Sequence, residues 1–238
     1  LNKLLDKVIL AHGSPSRWND HQVVRAAALI AGDLCGNGVS GTTRQITVYP
    51  HLARALVEPS GSPSCRSDLV ANHLSIIRED GTVISEIEDV RTIPMNYGPN
   101  ARTDKVFGAF LACCTIRTLL TTPFLLAMKG VEVNELVPWN EDGDRWRVLR
   151  AEFPPGFDTA ARVHDFFFGG DFLLRRHDYH VDGDTGITVT ELVSDYVDSH
   201  GIRMPRKLRG YRRCSDLDPD LARVLISIDI STLEFSAT

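Results

Sequence analysis

The sequence predicts an α+β fold in which one curved antiparallel sheet, a half-barrel, encloses a single central helix. Three observations carry this prediction. Runs rich in branched and aromatic residues alternate with Gly-, Asp- and Pro-centred turns along nearly the whole chain. One segment, about residues 103–129, breaks that rhythm with apolar residues around most of a helix. No linker, repeat or low-complexity tract divides the 238 residues, so residues 1–238 read as one domain.

Residues 1–11 open the chain as a short amphipathic helix, with Leu1, Leu4, Leu5, Val8 and Ile9 at helical spacing and Gly13 as its stop. Trp18 follows in a loop and anchors that helix to the first strand. Strands are expected at 23–34, 44–51, 54–58, 69–78 and 82–88, separated by turns at 36–38, 59–61 and 80–81. Short turns between consecutive strands imply an antiparallel meander.

Pro94, Gly98 and Pro99 end the meander within 93–100. Thr103 or Asp104 then caps a helix to about Thr122, and Pro123 kinks or restarts it through Met128. Val106, Phe107, Phe110, Leu111, Cys114, Leu119 and Leu120 surround it, so it must be covered on nearly all sides. It is the natural plug for the concave side of a curved sheet. Arg117, four threonines and Pro123 favour a buried or lid helix over a membrane span. Strands resume at 131–137, 146–153, 163–168, 172–181, 187–198, 203–212 and 224–235. A strongly twisted sheet of this many strands curls.

The hairpin around Gly169-Gly170-Asp171 is the most informative stretch. Side chains alternate along a strand, so Leu173, Arg175, His177 and Tyr179 share one face, and Leu174, Arg176, Asp178 and His180 the other. His177 and Tyr179 can both face the cavity as proton-exchanging and hydrogen-bonding groups. Asp195 on the next strand pairs with Arg175 or orients His177, and Tyr196 beside it faces the cavity. Arg117, a full charge in an apolar helix, either snorkels to solvent or meets a carboxylate or a ligand oxygen. Phe107, Phe110, Leu111, Cys114, Phe124, Trp139, Trp146, Phe166 and Phe168 supply an apolar lining.

Several chemistries lack their residues. There is no Gly-x-Ser-x-Gly elbow and no glycine-rich phosphate loop. His177 and His180 face opposite ways on a strand, and Asp182-Gly183-Asp184 lacks the remaining oxygen ligands of a calcium loop. No metal or other cofactor is therefore expected. The net charge of −5 argues against a nucleic-acid partner, and the basic run from Arg203 to Arg213 reads as an exposed edge strand. Cys35, Cys65, Cys113, Cys114 and Cys214 form no disulfide framework, and no secretory signal begins at Leu1. Reduced thiols point to the cytoplasm. No oligomeric state is legible.

The second half resembles a widespread family of largely uncharacterised bacterial proteins. The resemblance lies in residues 120–126, Val137-Pro138-Trp139, Trp146-Arg147, the run from Phe172 to Tyr179 with its Arg-Arg-His-Asp-Tyr core, and residues 224–230. Ala11-His12-Gly13 with Trp18 is similar too. The architecture it implies is that of bacterial lipoprotein carriers, an open half-barrel with an internal helix around an apolar cavity. Cys113-Cys114 and the loop 182–186 depart from the family.

Two functions follow. One is a cofactor-independent enzyme on a hydrophobic small molecule, a secondary-metabolite cyclase or isomerase of Diels–Alder type, with His177, Tyr179 or Arg117 as hydrogen-bond donors. The other is a non-catalytic carrier or sensor of lipid-like ligands. Ionisable residues crowding the central hairpin tilt the expectation towards the enzyme.

Overall fold

The computed structural model describes residues 2–35, 38–59, 65–90, 105–141, 143–157, 159–181 and 186–237. The expected turns at 36–37, 60–61 and 182–185, the break at 93–100 and the cap at Thr103 or Asp104 lie outside them.

Asn2 caps the first helix, α1 (Lys3–His12), accepting from the amides of Leu4 and Leu5 at 3.0 and 3.4 Å. Trp18 lies in a second short helix, α2 (Pro15–Asn19), rather than a loop, because Ser14 and Pro15 start a helical turn. The first meander comprises β1 (Val23–Gly32), β2 (Gly38–Tyr49), β3 (Arg54–Glu58), β4 (Cys65–Val70), β5 (His73–Arg78) and β6 (Val83–Ile87). The single strand expected at 69–78 is two, joined where Ala71 takes φ 49° and Val70 pairs with His73. After α3 (Lys105–Thr121) and a 3-10 turn (Phe124–Ala127) come β7 (Glu132–Glu141), β8 (Asp144–Glu152), β9 (Val163–Phe168) and β10 (Leu174–Val181). The chain continues through β11 (Ile187–Ser199), β12 (Ile202–Arg213) and β13 (Pro219–Ser236).

All thirteen strands form one open antiparallel sheet in the order β6-β5-β4-β3-β2-β1-β13-β12-β11-β10-β9-β8-β7. Two sequential meanders are thus joined at the β1–β13 seam, and the sheet does not close into a barrel. Its free edges, β6 and β7, are linked in sequence by the segment that carries α3. Register shifts at Ala27/Ala28, Leu136/Trp139, Leu174/Arg176 and Gly210/Tyr211 are bulges, which bend a strand and increase its twist.

The concave face is apolar and α3 lies on it. Val24, Ala26, Ala28 and Ile30 of β1, Ile46 and Val48 of β2, and Ile226, Ile228 and Ile230 of β13 recur every second residue and are buried. Every residue from Phe107 to Leu126 is buried, so the helix is covered on all sides, as its composition requires. It packs against β3, β4, β5 and β12. At one end of the half-barrel, Trp18 stacks on Phe124 with ring centroids 4.3 Å apart and meets Phe235 edge-on. Among the described residues no helix is long and apolar enough to cross a membrane.

The basic run is not an edge. β12 lies between β11 and β13, and its outward charges pair with acids: Arg206 and Lys207 with Asp195, Arg209 with Asp229, and Arg213 with Asp178.

Candidate functional site

The hairpin before β10 differs in detail from its reading. The positive φ of this turn falls on Phe172, at 62°. Gly169 lies close under the Asp171–Arg175 ion pair, where a Cβ would stand 3.0 Å from Asp171 Oδ1 and 3.2 Å from Arg175 Cζ, the movable ends of two side chains. A bulge then absorbs Arg175, so Leu174 pairs with Phe168 while Arg176 pairs with Phe167. Beyond it the expected alternation applies, with His177 and Tyr179 facing α3.

On that inner face four strands and the helix converge. His177 pairs with Glu191, and Glu191 with Gly210, where a Cβ would stand only 2.7 Å from Ile226 Cγ2. The glycine makes room for Ile226 of β13, and Glu191 Cγ lies at ordinary contact distance, 3.6 Å, from the same position. His177 Nδ1 lies 2.8 Å from Glu191 Oε2, and Tyr179 donates its hydroxyl proton to Glu191 Oε1 at 3.0 Å. Thr115 of α3 donates to the same oxygen at 3.4 Å. His164 Nδ1 lies 2.7 Å from His177 Nε2, and its Nε2 reaches the Ala161 carbonyl at 2.8 Å. The two imidazoles stack, and Phe166 stacks on His177 at 4.4 Å. Burial, then the neighbouring His177, hold the His164 imidazole well below its ordinary range. A cavity of about 10 Å³, room for about one water, lies between these groups and Cys114, Thr118 and Ala160.

The carboxylate that meets His177 is Glu191, not Asp195. Asp195 sits at φ 60° on the outside, bound to Arg206 at 3.0 Å and to Lys207 at 3.4 Å. Register arithmetic reveals Glu191: a turn centred near residue 184 brings 177 opposite 191. Tyr196 is half-buried and donates to the Leu174 carbonyl at 2.9 Å, with its ring edge-on to His12 of α1. Burial pushes its phenol up, so it seats α1 as a neutral group.

Arg117 does not snorkel. Only 5% of it is exposed, and its guanidinium lies 6.0 Å from the Phe157 ring. Phe107, Phe110, Leu111, Cys114, Phe166 and Phe168 are all in the packed core, and Phe124 is covered by Trp18. Trp139 and Trp146 are cross-strand partners on the outer face, not the inner one: a bulge at Leu136/Trp139 resets the register of Trp139, and Trp146 keeps the alternation of β8, on the face of Val148 and Phe167. There Arg176, with no exposed surface, lies 5.3 Å from the Trp139 ring and 5.1 Å from Phe167. It grips Asp178 through two 2.8 Å hydrogen bonds and donates to the Leu217 carbonyl at 2.7 Å. Arg213 reaches the same Asp178 at 2.9 Å, and Trp139 donates to Glu141. Among the described residues no group of three His, Cys, Asp or Glu is placed to hold a metal.

No family model matches the sequence, and no curated protein is similar to it in sequence. Solved structures share the fold. A DUF1329 family protein from Desulfovibrio piger superposes with TM-score 0.54 at 12% identity, covering 98% of this chain and 91% of its own. A LolA superfamily protein from Nitrosomonas europaea gives 0.54 at 11%, covering 97% and 90%. A domain described as outer membrane lipoprotein-sorting from Vibrio parahaemolyticus gives 0.53 at 8%, covering 92% and 89%. These neighbours overturn two expectations, the Diels–Alder-type cyclase and the cytoplasmic location, since the one function printed among the three descriptions is outer membrane lipoprotein sorting. The thiols misled because they do not report a compartment. Burial pushes Cys113 and Cys114 up to about 12, which keeps them protonated and inert. The chain therefore shares the open half-barrel of the DUF1329 and LolA-superfamily proteins, with few helices beside its large curved sheet.

Proposed function

We propose that the protein is a non-catalytic, single-domain carrier of lipid-like ligands, which occupy the concave face of the half-barrel as α3 withdraws from it. One observation carries this reading. The apolar concave face is covered by a helix that belongs to no ladder and hangs on the connection between the two free edges. Withdrawing α3 breaks no strand pairing and exposes an apolar trough containing Phe166 and Phe168, with Phe107, Phe110 and Leu111 on the helix itself.

A guest on the concave face offsets part of the cost of undocking α3. A buried methylene is worth about 0.8 kcal/mol, so an acyl chain of about ten carbons supplies roughly 8 kcal/mol to set against undocking. The lipoprotein-sorting description of the Vibrio domain, which shares this fold, supports the same reading. The polar groups once offered to a reacting substrate are engaged in holding α3, through Glu191 and Thr115.

The test is binding. Native mass spectrometry of gently purified protein is expected to show one apolar guest per chain. A fluorescent long-chain fatty acid is expected to bind at about micromolar affinity and to be displaced by phospholipid. Protein that carries no guest and leaves the probe unbound at ~100 μM, a level that detects weak complexes, would remove the reading.

A further inference from the structure

The inner polar chain has a fixed proton count. The Ala161 carbonyl only accepts, so His164 Nε2 carries a hydrogen, and the neutral ring presents a lone pair at Nδ1. His177 Nε2, 2.7 Å away, must then donate to it. What remains is the 2.8 Å contact between His177 Nδ1 and Glu191 Oε2. With an ionised carboxylate and a neutral His177, two lone pairs face each other. With a protonated carboxyl and an imidazolium, two hydrogens do. The contact is satisfied only when one proton is shared between them, whichever atom holds it. Glu191 Oε1 stays an acceptor in either case, receiving Tyr179 and, from α3, Thr115.

We propose that the His177–Glu191 pair is a proton-counting latch that docks α3 on the sheet while it holds one proton and loosens it on gaining or losing one. The groups facing the pair fix the sign of each limb. A gained proton leaves uncompensated positive charge in the core, and Arg117 lies buried on the same helix; it and Glu191 both act on the Cys114 thiol. Elsewhere the pair meets neutral groups: His164 from β9, Tyr179 from β10, Thr115 and Cys114 from α3, and Gly210 from β12. A lost proton leaves one lone-pair contact somewhere between Glu191 and Ala161, since reversing the tautomers only moves it along the chain. The latch stands on the hydrogen bonds alone; its consequence, proton-triggered release of a lipid-like guest, rests on the carrier reading.

Hydrogen exchange along α3 tests this across pH, with rates corrected for intrinsic chemistry. In the wild type the helix is expected to open most slowly at one intermediate pH and at least about tenfold faster two units to either side, one pKa unit of linkage being tenfold. Glu191→Gln is the decisive variant. Its amide nitrogen donates to a neutral His177 and its oxygen accepts from Tyr179 and Thr115, so every contact survives without a proton to count. Its alkaline limb is expected to flatten to less than about threefold, under half a unit of linkage. The alkaline side is diagnostic because the buried His12 and His164 titrate only towards acid. An unchanged alkaline limb in Glu191→Gln, or a wild-type α3 that opens only together with β10 and β11, would overturn the latch. Should the variant not fold, nitrogen-15 spectra of wild-type imidazoles decide: His164 protonated at Nε2 supports the chain, and His164 protonated at Nδ1 overturns it. A wild type that shows both limbs yet binds no fatty acid supports the latch and removes the carrier reading.

Discussion

The two faces of β10 bury polar groups in opposite ways. Outside, Arg176 and Asp178 form a fork-to-fork pair roofed by Trp139 and Phe167, with Arg213 and the Leu217 carbonyl completing it. Inside, His177, Glu191 and His164 form a chain whose hydrogen bonds depend on where one proton sits. A guanidinium stays charged throughout the working pH range, so the outer cluster is permanent structure. The imidazole–carboxyl contact is satisfied only while one proton lies between its two atoms, so the inner cluster is conditional. Adjacent residues on one strand thus separate holding from switching.

The largest test of that separation is Arg176→Ala. Removing the guanidinium strips Asp178 of its main partner while the carboxylate stays buried, and a broken buried pair costs about 3–5 kcal/mol. A urea midpoint measured at several pH values above the carboxylate range is expected to fall by a similar amount at each. A loss confined to one pH range would erase the contrast between the faces.

The inner face shares its acid response with His12, which must be subtracted. Burial lowers the His12 imidazole to about 4, opposed by its hydrogen bond to the Val8 carbonyl at 2.9 Å. Below about 6.5 the unfolded chain takes up a proton that the folded one refuses, so stability falls as pH drops towards 4. The loss from this group is about 3 kcal/mol, at about 1.4 kcal/mol per unit. His12→Leu is expected to remove that part of the acid slope in urea titrations and to leave the alkaline side untouched.

The smallest effect is expected at Asp195. Its ion pairs with Arg206 and Lys207 are exposed to solvent, and such pairs contribute little. Asp195→Asn should leave both the urea midpoint and the exchange of α3 unchanged. A measurable shift in α3 would mean that the outer surface communicates with the helix.

Much of this was legible from residue order. The all-round apolar character of residues 107–126 demanded a covered helix, and period-two alternation put His177 and Tyr179 on one face. The partner carboxylate is a matter of register: Glu191 stands opposite His177, and Asp195 lies four residues further along β11. The outward position of Trp139 is hidden for a different reason. A bulge is set by tertiary fit and leaves little local sign, and a one-residue slip carries side chains to the other face. Ala71-Asn72 hid a hairpin for want of a glycine.

The seam between β1 and β13 has a consequence for biogenesis. Val23 pairs with Ser236, so one side of β1 has no partner until the ribosome has made about two hundred further residues. During that interval a long, apolar ribbon edge is open to sticking to other nascent chains. A chaperone that shields β1 should therefore raise the yield of native protein more than any change made at the outer strands β6 and β7.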